Sequence, residues 1–125
     1  MKYAHTCIRV QDLDASIRFY KEALGYKEVE RKDFPEKKFT LVYMALEESP
    51  QAQLELTYNY GHGPYDLGDG YGHMALYTKD LEKVHSQLKE AGYLVTDLSG
   101  LPGQEAHYFF IQDPDGYKTE IIREK

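Results

Sequence analysis

Two histidines and two glutamates form matching pairs along this chain of 125 residues: His5 with His73, and Glu55 with Glu120. His5 opens the first half and His73 the second; Glu55 closes the first half and Glu120 the second. Imidazole nitrogen and carboxylate oxygen both bind divalent first-row metals, so the set reads as the ligands of one divalent ion. Singly, each residue is ordinary. A strand histidine is more often hydrogen-bonded structure than a ligand, and a glutamate between leucines usually marks a half-exposed strand. The joint placement carries the reading. Two nitrogens and two oxygens leave two octahedral positions, which nickel, cobalt and other ions that accept that geometry would fill with water or substrate oxygens; zinc accepts the same donors but more often takes four ligands, and spacing does not choose among them.

The pairing belongs to an internal repeat. His5 and His73 are 68 positions apart, and Asp12-Leu13 recurs as Asp80-Leu81 at the same offset. Gly25-Tyr26 returns as Gly92-Tyr93 after 67 positions, and Leu54-Glu55-Leu56 as Thr119-Glu120-Ile121 after 65. Such a drift is what loop deletions in the second copy would leave. Two copies at a near-constant offset point to a duplicated module.

The elements that must position the four residues follow from hydropathy. Residues 3–10 suit a strand. Over 13–24 the spacing turns helical, with Leu13, Ile17, Tyr20 and Leu24 on one stripe, Asp12 or Asp14 as the cap and Gly25 as the stop. Strands follow near 26–31, 39–46 and 52–58. The second half repeats the order: a strand at 71–78, a helix at 81–91 with Leu81, Val84, Leu88 and Ala91 buried between Asp80 and Gly92, then strands near 93–97, 106–112 and 117–123. Asp113-Pro114-Asp115-Gly116 reads as a hairpin turn. The chain is thus expected to be one α+β domain over 1–125, built of two tandem βαβββ modules (about 1–60 and 71–125) joined by a linker over 61–70. Alternation places all four candidate ligands on the sheet faces turned away from the helices. Cupped sheets would then enclose a metal site.

Composition narrows the function classes. Hydrophobic residues make up 42% of the chain, enough to build a core. A net charge of −6 argues against a nucleic-acid binder, which would need a basic face. No apolar run is long enough to span a bilayer and no signal peptide opens the chain, so a cytoplasmic protein is expected. The single cysteine, Cys7, excludes an internal disulfide and fits a reducing compartment; it reads as a plain strand residue. His62, His85 and His107 lack repeat partners and read as surface or loop residues. Arg9 stands four residues past His5 and Asn59 four past Glu55, so each shares the ligand face of its strand. The bland alternatives are a surface salt bridge for Arg9 and a strand-ending turn for Asn59.

With these residues in view, the chain resembles glyoxalase I (lactoylglutathione lyase) of the vicinal oxygen chelate superfamily. The resemblance runs over essentially the whole chain. It rests on His5, Asp12-Leu13, Ser16, Phe19-Tyr20 and Leu24-Gly25, on Leu54-Glu55-Leu56-Thr57-Tyr58-Asn59, on Gly72-His73, and on Asp113-Pro114-Asp115-Gly116-Tyr117 followed by Glu120. It implies a glyoxalase fold and an isomerase that converts the hemithioacetal of methylglyoxal and a small thiol to an S-lactoyl thioester through an enediolate. It implies His5, Glu55, His73 and Glu120 as metal ligands, with nickel or cobalt favoured and zinc admitted. Glu120 would be the catalytic carboxylate, with Glu55 able to serve a substrate of opposite handedness. Arg9 and Asn59 would bind the glutamyl end of glutathione. A homodimer is implied, with sites made from paired modules of one or both chains. One departure stands out. The second-half loop of such enzymes usually carries a cation for the glycyl carboxylate, whereas residues 97–106 hold none. The thiol is therefore left open between glutathione and another low-molecular-weight thiol, such as a bacillithiol-like one.

Two rival readings share the fold. One is a different metalloenzyme of the superfamily: an extradiol dioxygenase, a fosfomycin-modifying thiol transferase or an acyl-CoA epimerase. Glu55 argues against these, because they hold a non-acidic residue at its place. The other is a drug-sequestering protein of the bleomycin-resistance type, which uses the fold without the metal ligands.

Overall fold

The computed structural model describes all 125 residues. It divides into two compact units, Met1–Asp66 and Leu67–Lys125.

The first unit runs β1 (His5–Arg9), α1 (Leu13–Glu22), β2 (Lys27–Phe34), β3 (Phe39–Leu46) and β4 (Ser49–Asn59), with one 3-10 turn at Pro35–Lys37. Its sheet has the order β1-β4-β3-β2. β1 lies parallel to β4 and the other neighbours are antiparallel. The second unit repeats this with β5 (Met74–Thr78), α2 (Leu81–Glu90), β6 (Leu94–Val95), β7 (Tyr108–Gln112) and β8 (Lys118–Arg123) in the order β5-β8-β7-β6. The expected α+β architecture of tandem βαβββ modules is what the chain adopts.

Local chemistry accounts for the helix ends. The Asp12 carboxylate accepts from the Ala15 N–H at 3.1 Å and that of Asp80 from the Lys83 N–H at 3.4 Å, each satisfying one orphan donor of its helix. At the end of α2, Gly92 takes φ +91°. Its N–H donates to Lys89 O and that of Tyr93 to Leu88 O, closing the two carbonyl bonds of a Schellman turn. Gly25 ends the first helix in the same left-handed region.

Each helix covers one face of its own sheet. In unit 1, Leu13, Ile17, Phe19 and Tyr20 of α1 are buried, and so are Ile8, Val42, Met44, Leu54 and Leu56 from the sheet. In unit 2 the buried apolar side chains are fewer: Leu81 and Leu88 from α2, and Phe109, Ile111 and Ile121 from the sheet. Ala91, expected on the buried stripe, is exposed, because the helix ends at Glu90 and Ala91 already belongs to its cap. Thr119 is buried among these apolar groups, and its hydroxyl has no hydrogen-bond partner.

Several strands differ from the expected bounds. β4 starts at Ser49 because Glu47 and Glu48 alone turn the hairpin, with Leu46 facing Ser49. Pro50 is tolerated there because β4 overhangs β1, whose pairing begins at Gln53. β2 extends to Phe34, is exposed along its whole length and carries charges, which suits a sheet edge. β6 shrinks to two residues. The Thr96 hydroxyl accepts the Phe110 N–H at 2.8 Å and so replaces a ladder bond, while the Thr96 carbonyl is engaged by His85 Nε2 at 2.8 Å. His85 is therefore a half-buried helix residue, edge-on to Phe109, and not a surface or loop histidine. β5 starts at Met74, not residue 71, since β8 begins only after the Asp113–Gly116 turn and offers no earlier partner. In that turn the Asp113 carboxylate accepts the N–H groups of Asp115 and Tyr117, both at 2.9 Å.

Candidate functional site

In unit 1, His5, Cys7 and Arg9 alternate along β1 on the face opposite Ile8 and Val10. The register sets Cys7 across from Glu55 on β4, and Glu55 across from Tyr43 on β3. His5 Nε2 lies 2.8 Å from Glu55 Oε2. The second Glu55 oxygen, Oε1, accepts from the Thr57 hydroxyl at 2.7 Å. Tyr43 and Cys7 also donate to this carboxylate. Burial pushes the Glu55 carboxyl up, but the hydrogen bonds from Thr57, Tyr43 and Cys7, with His5 beside them, outweigh it and hold the group below its usual range. The Cys7 thiol is pushed up, chiefly by burial, which is the opposite of what an activated nucleophile needs. It stays a strand residue, 3.2 Å from the Thr57 hydroxyl.

In unit 2 the same pair recurs on the corresponding strands. His73 Nε2 lies 2.9 Å from Glu120 Oε1. His73 precedes β5 instead of lying inside it, so its backbone is not held by the ladder. Glu120 is flanked by Ala75 across β5 and Phe110 across β7.

Both pairs share a third member that the sequence reading missed. His5 stands edge-on to Tyr43, with ring centroids 5.4 Å apart, and His73 edge-on to Phe110 at 4.9 Å. Tyr43 and Phe110 are 67 positions apart, inside the offset range of the repeat. That offset was the available signal; Tyr43 and Phe110 differ in type, which hides it.

The donor chemistry fits a divalent ion. Two ligands each about 2.1 Å from one ion and at right angles to each other lie about 3 Å apart; the nitrogen–oxygen distances of 2.8 and 2.9 Å match that spacing. In neither unit do three or more His, Cys, Asp or Glu side chains gather to hold an ion unaided. Each pair by itself supplies two of the four donors expected from the sequence.

Asn59 lies two residues beyond Thr57 on β4, and its amide donates to the Tyr65 hydroxyl at 2.9 Å. Tyr65 in turn stacks on His62, with centroids 4.0 Å apart. Arg9 is exposed on the Glu55 face of β1. The 97–106 loop is tied down by main-chain bonds between Ser99 and Tyr108 and by Arg123, which bonds Ala106 O and the Glu82 carboxylate.

Comparison with known proteins adds to this geometry. The profile of the Glyoxalase/Bleomycin resistance protein/Dioxygenase superfamily matches residues 2–121. The chain belongs to this superfamily. Among its relatives, the lactoylglutathione lyase of Haemophilus influenzae is 39% identical over 127 residues, spanning 100% of this chain and 94% of that one. The lactoylglutathione lyase of Neisseria meningitidis serogroup A is 38% identical, over 100% and 92% of the two chains. Among solved structures, the trypanothione-dependent glyoxalase I of Leishmania major superposes with a TM-score of 0.87 at 37% identity, covering 99% of this chain and 87% of that one. The resemblance to glyoxalase I read from the sequence is borne out: the relatives compared are named lactoylglutathione lyase, and the superposed structure is a glyoxalase I.

Proposed function

We propose that this glyoxalase-superfamily protein is an isomerase of the lactoylglutathione lyase type, acting on the hemithioacetal of methylglyoxal and a low-molecular-weight thiol. The duplicated His–Glu pair, with nitrogen–oxygen distances of 2.8 and 2.9 Å, carries the reading. His5, Glu55, His73 and Glu120 would together hold one divalent ion, nickel or cobalt by preference and zinc as an alternative. When bound, the ion supplies positive charge beside the oxygens on which negative charge develops, worth several kcal/mol.

The chain's own groups then account for the proton. Glu120 takes the proton from the carbon that bears sulfur. The electron pair left behind passes to the neighbouring carbonyl, giving an enediolate. The same carboxyl returns the proton to the adjacent carbon, the hydroxyl proton of the sulfur-bearing carbon passes to the neighbouring oxygen, and a thioester results. No atoms are gained or lost and nothing is oxidised overall. A carboxylate in this role contributes about 10²–10⁴-fold. Glu120 suits it, because the side chains across from it, Ala75 and Phe110, donate no hydrogen bond to its carboxylate. Glu55 would act as a ligand, and could serve a substrate of opposite handedness only once released from the Thr57 hydroxyl on its Oε1. Arg9, on the Glu55 face of β1, would meet the carboxylate end of the thiol, and Asn59 would stand beside it.

A homodimer in the cytoplasm completes the proposal, with modules of one or both chains pairing to bring the two half-sets of ligands together. It is supported by exposed apolar side chains on the Glu120 face of the second sheet: Tyr77 is 71% exposed and Leu94 67%.

The test is thioester formation from methylglyoxal with glutathione and with other thiols, across Ni²⁺, Co²⁺, Mn²⁺ and Zn²⁺. Metal-dependent turnover with at least one thiol is expected. Absence of turnover with every combination, together with no thermal stabilisation by Ni²⁺ or Co²⁺, would favour the sequestering protein.

A further inference from the structure

The two carboxylates have equivalent places in the repeat and unlike surroundings. Glu55 receives hydrogen bonds from Thr57, Tyr43 and Cys7. The corresponding neighbours of Glu120 cannot donate one. Phe110 stands across β7 where Tyr43 stands across β3. Ala75 stands across β5 where Cys7 stands across β1. Ile122, two residues past Glu120, replaces Thr57, two residues past Glu55. All three hydrogen-bonding side chains of the first half are apolar in the second, although both histidines keep their aromatic neighbours.

We propose that Tyr43 and Thr57 are positioning residues that lock Glu55 in one orientation and thereby leave proton transfer to Glu120. A carboxylate that must leave its resting partner, take a proton and return it has to rotate. Donors that are not themselves ligands oppose that rotation. Glu55 has the Thr57 hydroxyl on Oε1, with Tyr43 and Cys7 as further donors, whereas Ala75, Phe110 and Ile122 beside Glu120 offer none. The division of labour between two chemically identical groups thus lies in the side chains around them. The inference rests on the isomerase reading and goes beyond it by naming what makes the two halves unequal.

The full chain tests this by exchanging the surroundings. Releasing Glu55 with Tyr43→Phe and Thr57→Val should weaken Ni²⁺ binding, measured by calorimetry, by about tenfold or more, as loss of outer-shell partners does. Thr57→Ser, which keeps the hydroxyl, should retain the affinity. Placing the same donors around Glu120, with Phe110→Tyr and Ile122→Thr, should lower kcat by about tenfold or more at nearly constant KM. In a Glu120→Gln background, the Tyr43→Phe, Thr57→Val pair should recover about tenfold of the lost turnover by freeing Glu55. Unchanged Ni²⁺ affinity in the first pair, or undiminished kcat in the second, would overturn the proposal. Circular dichroism melts separate folding defects, and Tyr43→Phe alone is the milder variant if the pair does not fold. A wild-type protein that neither binds Ni²⁺ nor isomerises fails the functional reading itself. A wild-type protein that does both, with variants that do not differ from it, fails only this inference.

Discussion

His73 Nε2 lies 2.9 Å from Glu120 Oε1, although the two residues are 47 apart in sequence and His73 stands just outside the strand that pairs with β8. Glu120 is held by the ladder and His73 by its edge-on contact with Phe110. A carboxylate with no donor on the side chains across from it, on the face away from α2, is well placed to exchange a proton. Glu120→Gln keeps the size of the side chain and removes its basicity. It should lower kcat by about 10²–10⁴-fold and leave the melting temperature within a degree or two. Retention of most activity would take Glu120 out of the mechanism.

Arg9 shares the exposed face of β1 with His5 but stands four residues along. A group that binds substrate and transition state alike affects KM and not kcat. Arg9→Ala should therefore raise KM for the hemithioacetal by about tenfold or more with kcat little changed. A loss confined to kcat would place Arg9 in the chemical step instead.

Thr119 occupies the repeat position of Leu54, on the helix-covered face, and its buried hydroxyl has no hydrogen-bond partner. An unsatisfied buried hydroxyl costs about 1–3 kcal/mol. Thr119→Val keeps the β-branched shape and removes that cost, so stability should rise by about 1 kcal/mol. Calorimetry should show this as a melting temperature higher by a few degrees. The effect matters most here, because only five apolar side chains are buried in unit 2 against thirteen in unit 1. An unchanged or lower melting temperature would mean that the hydroxyl is satisfied after all.

Burial, with a smaller contribution from Tyr3, pushes the Tyr26 hydroxyl up to about 12 from an ordinary value of 10.0. The folded value is the higher one, so the unfolded chain loses this proton first. Stability from the neutral Tyr26 is complete below about pH 10 and is lost as pH rises toward 12. A shift of about two units corresponds to roughly 2–3 kcal/mol. Chemical denaturation across this window should show a steeper fall for the wild type than for Tyr26→Phe, which has no hydroxyl to ionise. Equal slopes would show that Tyr26 ionises in the folded state as easily as in the unfolded one.

Much of this was legible in the sequence because it is local or periodic. The caps Asp12 and Asp80, the stops Gly25 and Gly92, and the Asp113–Gly116 turn act within a few residues of themselves. The offset of His5 from His73 and of Glu55 from Glu120 exposes a duplication because both copies kept the same residue types. Strand alternation assigns His5 and Glu55 to one face without any knowledge of their distance.

Tertiary structure alone decided how those residues meet. Register fixed which strands face one another, so Tyr43 stands across from Glu55 and Phe110 across from Glu120. Hydrogen bonding at Thr96 cut β6 to two residues, and the late start of β8 left His73 outside β5. It is also the register that surrounds one glutamate with hydroxyls and a thiol and the other with apolar groups. Pairing across strands joins residues far apart along the chain, whereas propensity and periodicity extend only over near neighbours.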